Sequence, residues 1–224
     1  MKTEKKILSK EVISWAFYDW ANSAFATTVI AGFFPIFFKS FWANSLSDTE
    51  STALLGLANS LSGFFILIFA PFLGALADIT FRKKYMLVFF MLIGAGSTAS
   101  FFFIYEGYWM IAVIAYILAS IGFSGGNIFY DSLIIDVSND QSRNQVSAFG
   151  YAMGYLGGGI LFVVNVLMYL QPNIFGLASE IDAVLFSFLS VAIWWSIFTL
   201  PLIKFVRERK GEITSLSLTS TVMN

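Results

Sequence analysis

Two short rows of polar residues stand inside long apolar stretches of this 224-residue sequence. Asp19, Asn22 and Ser23 are separated by the three- and four-residue steps that place side chains on one face of a helix. Asn127 and Asp131 repeat that spacing further along the chain. Carboxylates inside apolar helices bind cationic groups or relay protons, and the neighbouring amides can supply hydrogen bonds. These five residues are therefore the candidate substrate- or proton-binding site.

Each aspartate also admits a structural interpretation. Asp19 and Asp131 could be packing or capping residues that pair with a cation at the membrane surface or with backbone amides. The chain contains no Cys and no His, which excludes disulfides, thiol chemistry and histidine-dependent catalysis and removes the commonest metal ligands. We therefore expect no catalytic residue, no metal and no cofactor.

The composition places these rows in a membrane protein. Hydrophobic residues make up 58% of the chain and charged residues 12%, and the mean hydropathy is +0.77. Soluble domains carry about twice that charged fraction. Apolar segments close to or above the ~20 residues that cross a bilayer predict an all-α, polytopic membrane protein with six transmembrane helices. The predicted spans are 12–38, 52–79, 85–105, 108–137, 145–170 and 183–205.

Basic residues orient these spans. Lysines and arginines cluster before the first span and after the second, fourth and sixth spans, so the positive-inside rule predicts that both termini are cytoplasmic. The predicted organisation is a cytoplasmic segment 1–11, a six-helix bundle 12–205 and a disordered cytoplasmic tail 206–224. Asp136 and Asp140, close to a membrane exit, are expected to be solvated loop charges.

The loop after the second span reads "GALADITFRKK". It resembles the signature loop between the second and third helices of the major facilitator superfamily, with Ile and Phe at two usual Arg and Gly positions. The resemblance implies a gating loop made by Gly74, Asp78, Arg82 and Lys83, in which Gly74 allows close helix approach. Alternatively, the basic residues are simply the positive-inside signal.

A narrower resemblance lies in "YDWANSA" at 18–24 and "GYAMGYLGG" at 150–158. Both are similar to the "unknown major facilitator" branch, which includes fungal vacuolar amino-acid effluxers linked to autophagy. That branch commonly has Asn where Asp131 stands. The resemblance implies that the chain is one half of a twelve-helix bundle whose first and fourth helices line a shared cavity. The doubled Gly-xxx-Gly pattern of Gly150, Gly154 and Gly158 predicts close helix packing.

The leading functional hypothesis is a secondary transporter, or its N-terminal half, that moves a small polar solute by alternating access. Amino acids are favoured as the solute by the resemblance alone. A non-transporting membrane scaffold is the alternative. An intramembrane aspartyl protease is less favoured, because Tyr130-Asp131 resembles one half of its active site but the companion Gly-x-Gly-Asp motif is absent.

The expected partners follow from the same hypothesis. They are the lipid bilayer, a small-molecule solute and a second six-helix half, but no nucleic acid. The second half would come from a separately encoded chain, with this chain as an N-terminal fragment, or from a homodimer. The expected location is a bacterial inner membrane.

Overall fold

The computed structural model describes residues 8–80 and 82–209, with backbone alone at 76–80. Within these residues the chain is helical and contains no strand. Six helices are long and apolar enough to cross a membrane, which confirms the predicted fold class. We number them α1 (Lys10–Trp42), α2 (Asp48–Thr80), α3 (Lys83–Phe103), α4 (Trp109–Val137), α5 (Arg143–Leu170) and α6 (Glu180–Phe205).

Side chains close the first turns of several helices. The Ser9 hydroxyl accepts a hydrogen bond from the Val12 N–H at the start of α1. Ser179 does the same for Asp182 at the start of α6. Before α2, Ser47 and Glu50 bond reciprocally through their backbone N–H groups and side-chain oxygens. Such caps satisfy backbone donors that have no partner inside the helix, which fixes where each span begins.

Helix α1 is irregular beyond the polar row. Its hydrogen bonding widens to π-helical turns over Phe25–Phe33 and Phe38–Trp42. Within the first of these segments, the Thr27 hydroxyl lies 3.1 Å from the Ser23 carbonyl oxygen and 3.2 Å from that of Gly158. The same side chain thus satisfies α1 carbonyl groups and joins α1 to α5. π-helical turns are uncommon and frequently mark functional segments.

The helices pack in two matching groups of three. Helix α1 packs against α5 and α6, helix α4 packs against α2 and α3, and α3 contacts α6. Exchanging α1 with α4, α2 with α5 and α3 with α6 leaves this contact pattern unchanged. The pattern is that of two repeated three-helix units, the arrangement found within halves of many transporters.

Burial differs sharply among the six helices. The most apolar 18-residue stretch of each helix shows the difference. In α1, α3, α4 and α6, between 39% and 44% of the residues in this stretch are buried, against 11% in α2 and 28% in α5. Helices α2 and α5 therefore present most of their surface outside this chain. We use "basic end" for the end of the bundle where α1, α3 and α5 begin, close to Lys10, Lys83 and Arg143.

Candidate functional site

The five polar residues meet where α1 faces α4. The Asn22 side-chain amide donates a hydrogen bond to Oδ1 of Asn127. On each helix the aspartate lies one turn closer to the basic end than the asparagine, about 5 Å along the axis. The Asp19 and Asp131 carboxylates are close enough to repel each other electrostatically. The structure therefore brings together two levels of polar side chains between the helices. We call them the asparagine rung, Asn22 and Asn127, and the aspartate rung, Asp19 and Asp131.

The site is closed on one side and open on the other. Asn22 is 1% exposed, Asp19, Ser23 and Asn127 are half-buried, and Asp131 is exposed. The Ser23 hydroxyl donates to Asp19 Oδ1 over 3.1 Å. Within the described part of the chain, no hydrogen bond or ion pair holds the Asp131 carboxylate. The Asp131 side of the polar row is thus left uncovered by the described residues.

Aromatic side chains surround the aspartate rung. The Trp15 ring stacks on the Tyr130 ring with centroids 4.4 Å apart, and its indole N–H donates to the Tyr130 carbonyl oxygen over 3.0 Å. The Tyr18 ring lies 5.2 Å from that of Tyr130. These three residues fix α1 against α4 immediately beside the carboxylates. Sequence reasoning missed them, although Trp15 and Tyr18 flank the polar row at helical spacing.

Three buried polar atoms at this contact make no well-aligned hydrogen bond with a described residue: the Tyr18 hydroxyl, Asn22 Oδ1 and the Tyr130 hydroxyl. The Tyr18 hydroxyl lies within hydrogen-bonding range of the Asn22 and Trp195 side chains, so the Tyr130 hydroxyl is the clearest group without a partner. A buried polar group without a hydrogen bond costs about 1–3 kcal/mol, so a native structure rarely leaves several together without water or a ligand. Their position beside the two carboxylates makes this contact the candidate site that the proposal below concerns.

The glycines of α5 bring that helix against the same row. A methyl group on Gly154 would lie 2.7 Å from the Ser23 hydroxyl oxygen and 2.9 Å from Asp19 Cγ. One on Gly158 would lie 2.9 Å from the Ser23 carbonyl oxygen, and one on Gly150 would lie 2.7 Å from the Trp15 ring. All three glycines therefore lie in the α1–α5 contact, where a side chain would displace the polar row.

A second buried carboxylate lies at the basic end. The Lys83 ammonium is 3.2 Å from Asp136 Oδ2 and also donates to the Ser132 carbonyl oxygen over 3.1 Å. Asp136 is 3% exposed, so the expectation of a solvated loop charge was wrong for this residue. The reason is that α3 begins beside the end of α4 and places Lys83 against it. Asp140 is exposed and pairs with Arg143 over 2.6 Å.

The segment after α6 joins this network. Glu208 accepts hydrogen bonds from the backbone N–H groups of Lys83 and Lys84 at the start of α3. The Arg209 N–H donates to Asp136 Oδ1 over 3.0 Å, and Val206 is buried. The expected disordered tail therefore begins with four residues, 206–209, that are ordered against α3 and α4. The rest of that tail, 210–224, and residues 1–7 lie outside the described residues.

The proposed gating loop is only partly described. A methyl group added to Gly74 would meet no described atom within 4 Å, so no described helix approaches this glycine closely, and its part in the gating loop stays a prediction. The Asp78 side chain lies outside the described residues. Arg82 is exposed, whereas Lys83 is buried in the ion pair with Asp136. Among the members of this loop whose side chains are described, Lys83 makes a contact that could hold the basic end closed.

No group of three or more His, Cys, Asp or Glu residues that could hold a metal occurs in the described ranges. The arrangement can instead bind a polar solute or a proton. The fold matches one half of a solved xylose transporter from E. coli in its inward-open conformation. The match has a TM-score of 0.60 and 18% identity over 89% of this chain and 47% of the transporter. A D-xylose–proton symporter matches with a TM-score of 0.58, 18% identity and the same coverage.

These two structures show the fold alone, a six-helix half-bundle. Sequence similarity gives the class of protein: the family model described as "Vacuole effluxer Atg22 like" matches residues 42–142 and 135–223, and the chain belongs to this family. An uncharacterized MFS-type transporter of Bacillus subtilis (strain 168) is 38% identical over 91% of this chain and 48% of the relative. An uncharacterized protein of Aquifex aeolicus (strain VF5) is 24% identical over 80% of this chain and 45% of the relative.

The resemblance drawn from the sequence motifs is confirmed by these matches. The chain spans about half the length of the curated relatives it matches. The relatives with a named class are transporters and not enzymes, which supports an integral membrane protein and disfavours the aspartyl-protease alternative.

Proposed function

We propose that this chain forms one half of a secondary transporter that moves a small polar solute by alternating access. The observation that carries the proposal is the meeting of Asp19, Asn22, Asn127 and Asp131 on the open side of the α1–α4 contact. Polar and ionisable groups at membrane depth normally face a bundle interior or a water-filled path, because lipid cannot satisfy them. A solute path along α1 and α4 accounts for all four residues.

The open side calls for a second six-helix half. Tyr155 is 80% exposed and Tyr151 is 66% exposed, and both lie in the interior of α5. Hydrocarbon would leave their hydroxyl groups without hydrogen bonds, so this face of α5 is better placed against a cavity or another protein surface. The length of the relatives supports a second half of similar size. A separate chain or a second copy of this chain would supply it.

The basic end would act as the gate of this half, with the cytoplasm on that side. The buried Lys83–Asp136 pair and the Glu208 contacts tie together α3, α4 and the segment after α6. Ion pairs of this kind have two discrete states, made and broken, which suits a gate that opens and closes once per transport cycle. The Bacillus relative supports the bacterial plasma membrane as the location.

Amino acids are the first solutes to test, because the family description names an effluxer and the motifs resemble amino-acid effluxers. Proteoliposomes containing the chain, alone and with a separately expressed second half, would be loaded with a labelled amino-acid mixture. We expect efflux that Asp19→Asn abolishes. Asp48→Asn, which removes an exposed carboxylate at the other end of the bundle, is the matched control and should leave efflux unchanged.

Two results would contradict the proposal. Efflux at the normal rate with Asp19→Asn would remove the polar row from the mechanism. A chain that transports no solute in either preparation, yet retains a stable protein partner on purification, would instead favour the scaffold alternative.

A further inference from the structure

Away from the helix ends, the charged residues of the spans have one sign. The described segments 12–38, 52–75, 85–105, 109–131, 145–170 and 183–203 contain no Lys or Arg, and their acidic residues are Asp19 and Asp131. Both carboxylates belong to the aspartate rung, where they repel each other. The buried Lys83 lies at the basic end and pairs with Asp136, so the aspartate rung is an anionic site without a protein cation of its own.

The polar groups of the site also offer more hydrogen-bond acceptors than donors. In the described chain, Asp19 accepts one hydrogen bond, from Ser23, and Asp131 accepts none. One turn away, the amide nitrogen of Asn22 donates to Asn127, and the buried Asn22 side chain also lies within hydrogen-bonding range of the Tyr18 hydroxyl. Carboxylate oxygens can only accept. The two carboxylates thus offer acceptors that no other described residue fills.

The Tyr130 hydroxyl is a further polar group beside the two carboxylates. Tyr130 is 5% exposed, its hydroxyl has no partner among the described residues, and the side chain lies within electrostatic range of both aspartates. A phenol can either donate or accept. This unpaired group, independent of the two acidic residues, also points to a ligand at the aspartate rung.

We infer that the solute bound here carries a protonated amine, which docks at the aspartate rung with its N–H groups directed at Asp19 and Asp131. An ammonium group brings both a positive charge and further hydrogen-bond donors to these carboxylates. An anionic group would be repelled by both carboxylates. A neutral polyol would supply donors but leave the charge uncompensated. The stacked Trp15 and Tyr130 rings add electron-rich surface that favours a cation nearby.

This inference rests on the proposed binding face but not on transport, so binding is the measurement. The full chain in lipid nanodiscs would be titrated with n-butylammonium, and with butanol and butyrate as uncharged and anionic probes of similar size. Intrinsic tryptophan fluorescence reports the site, because Trp15 and Trp20 lie beside the polar row. We expect saturable binding of n-butylammonium and none of the other probes.

The variants make the assignment specific. Asp19→Asn and Asp131→Asn should each weaken n-butylammonium binding at least about tenfold, Asp19→Glu should retain most of it, and Asp48→Asn should leave it unchanged. The Asn variants keep the shape of the side chain, and a thermal unfolding scan verifies that each is folded. Equal affinity in the wild-type chain and the Asp19→Asn, Asp131→Asn double variant would overturn the inference. So would the absence of saturable n-butylammonium binding, or a preference for butyrate.

The inference and the proposed transport fail in different ways. A chain that binds n-butylammonium through Asp19 but moves no solute retains the inference and loses the transport proposal. A chain whose transport of a labelled solute is not inhibited by n-butylammonium retains transport and loses the inference.

Discussion

Carboxylates lie among the helices in two regions of this bundle, and their surroundings differ. At the basic end, Asp136 is buried and meets the Lys83 ammonium and a backbone N–H donor from Arg209. At the α1–α4 contact, half-buried Asp19 receives a single hydrogen bond from Ser23 and repels the exposed Asp131. Burying a charge without a partner is costly, so the paired carboxylate is the one expected to serve structure and the accessible pair the one expected to serve binding.

The two regions suggest two roles for carboxylates in this chain, one in stabilising a contact between helices and one in binding. A paired charge has its energetic compensation within the protein and stabilises a contact between helices. An unpaired charge must take its compensation from a proton, water or ligand, and so it is free to exchange one for another. Variants that break the pair, the packing and the unpaired site in turn should therefore have effects of decreasing size on stability.

The largest loss of stability is expected from breaking the pair at the basic end. Lys83→Met removes the Lys83 ammonium from the buried Asp136 carboxylate, and removing one partner of a buried ion pair costs about 3–5 kcal/mol. Thermal unfolding in nanodiscs measures the loss. The control is Arg143→Met, which breaks the exposed pair with Asp140 and should cost no more than about 1 kcal/mol. If the two variants were equally stable, the Lys83–Asp136 pair would have no role in holding the basic end together.

An intermediate loss is expected from the glycine packing beside the site. A methyl group on Gly157 would overlap the Trp20 carbonyl oxygen and the Trp20 ring, and a backbone atom cannot rotate away. Overpacking of this kind costs about 1–3 kcal/mol, so Gly157→Ala should lower the unfolding temperature. Two residues along α5, a methyl on Gly159 meets no described atom within 4 Å.

Gly159→Ala is therefore the matched control for the packing prediction. Alanine is favoured over glycine in a helix by up to about 1 kcal/mol, so this variant should be as stable as the wild-type chain or more stable. Unfolding scans of the two variants under identical conditions test the contrast. A Gly157→Ala chain as stable as Gly159→Ala would mean that α1 and α5 are further apart than the structure places them.

The sequence predicted the features that depend on local pattern. Six apolar runs of sufficient length predicted the six spans, because crossing a bilayer imposes a minimum length on each helix. Helical spacing also predicted that Asn22 and Asp19 share a face, and the structure places that face against Asn127. Whether this face binds a solute stays a prediction until the variants are measured.

Features that depend on distant contacts could not be predicted in this way. Lys83 and Asp136 are separated by 53 residues, and nothing around either residue specifies the other. Polar composition made the start of the tail look disordered, whereas Glu208 satisfies two backbone donors of α3. The stacking of Trp15 on Tyr130 likewise requires knowing which faces of α1 and α4 meet. Tertiary packing decides all three.

The smallest effect on stability is expected at the unpaired site, where the effect on binding is largest. Asp19→Asn keeps the size of the side chain and an oxygen that can accept from Ser23, while it removes one of two mutually repelling charges. Because no protein cation loses its partner, stability should stay within about 1 kcal/mol of the wild-type value or rise. Asp136→Asn, the same substitution in the paired region, should instead destabilise the chain, because it leaves Lys83 buried without an anion. Unfolding scans and n-butylammonium titrations of both variants complete the comparison. Stability lost equally at the two positions would show that Asp19 is a structural residue, whereas stability lost only at Asp136 and binding lost only at Asp19 would show that its charge is kept for the solute.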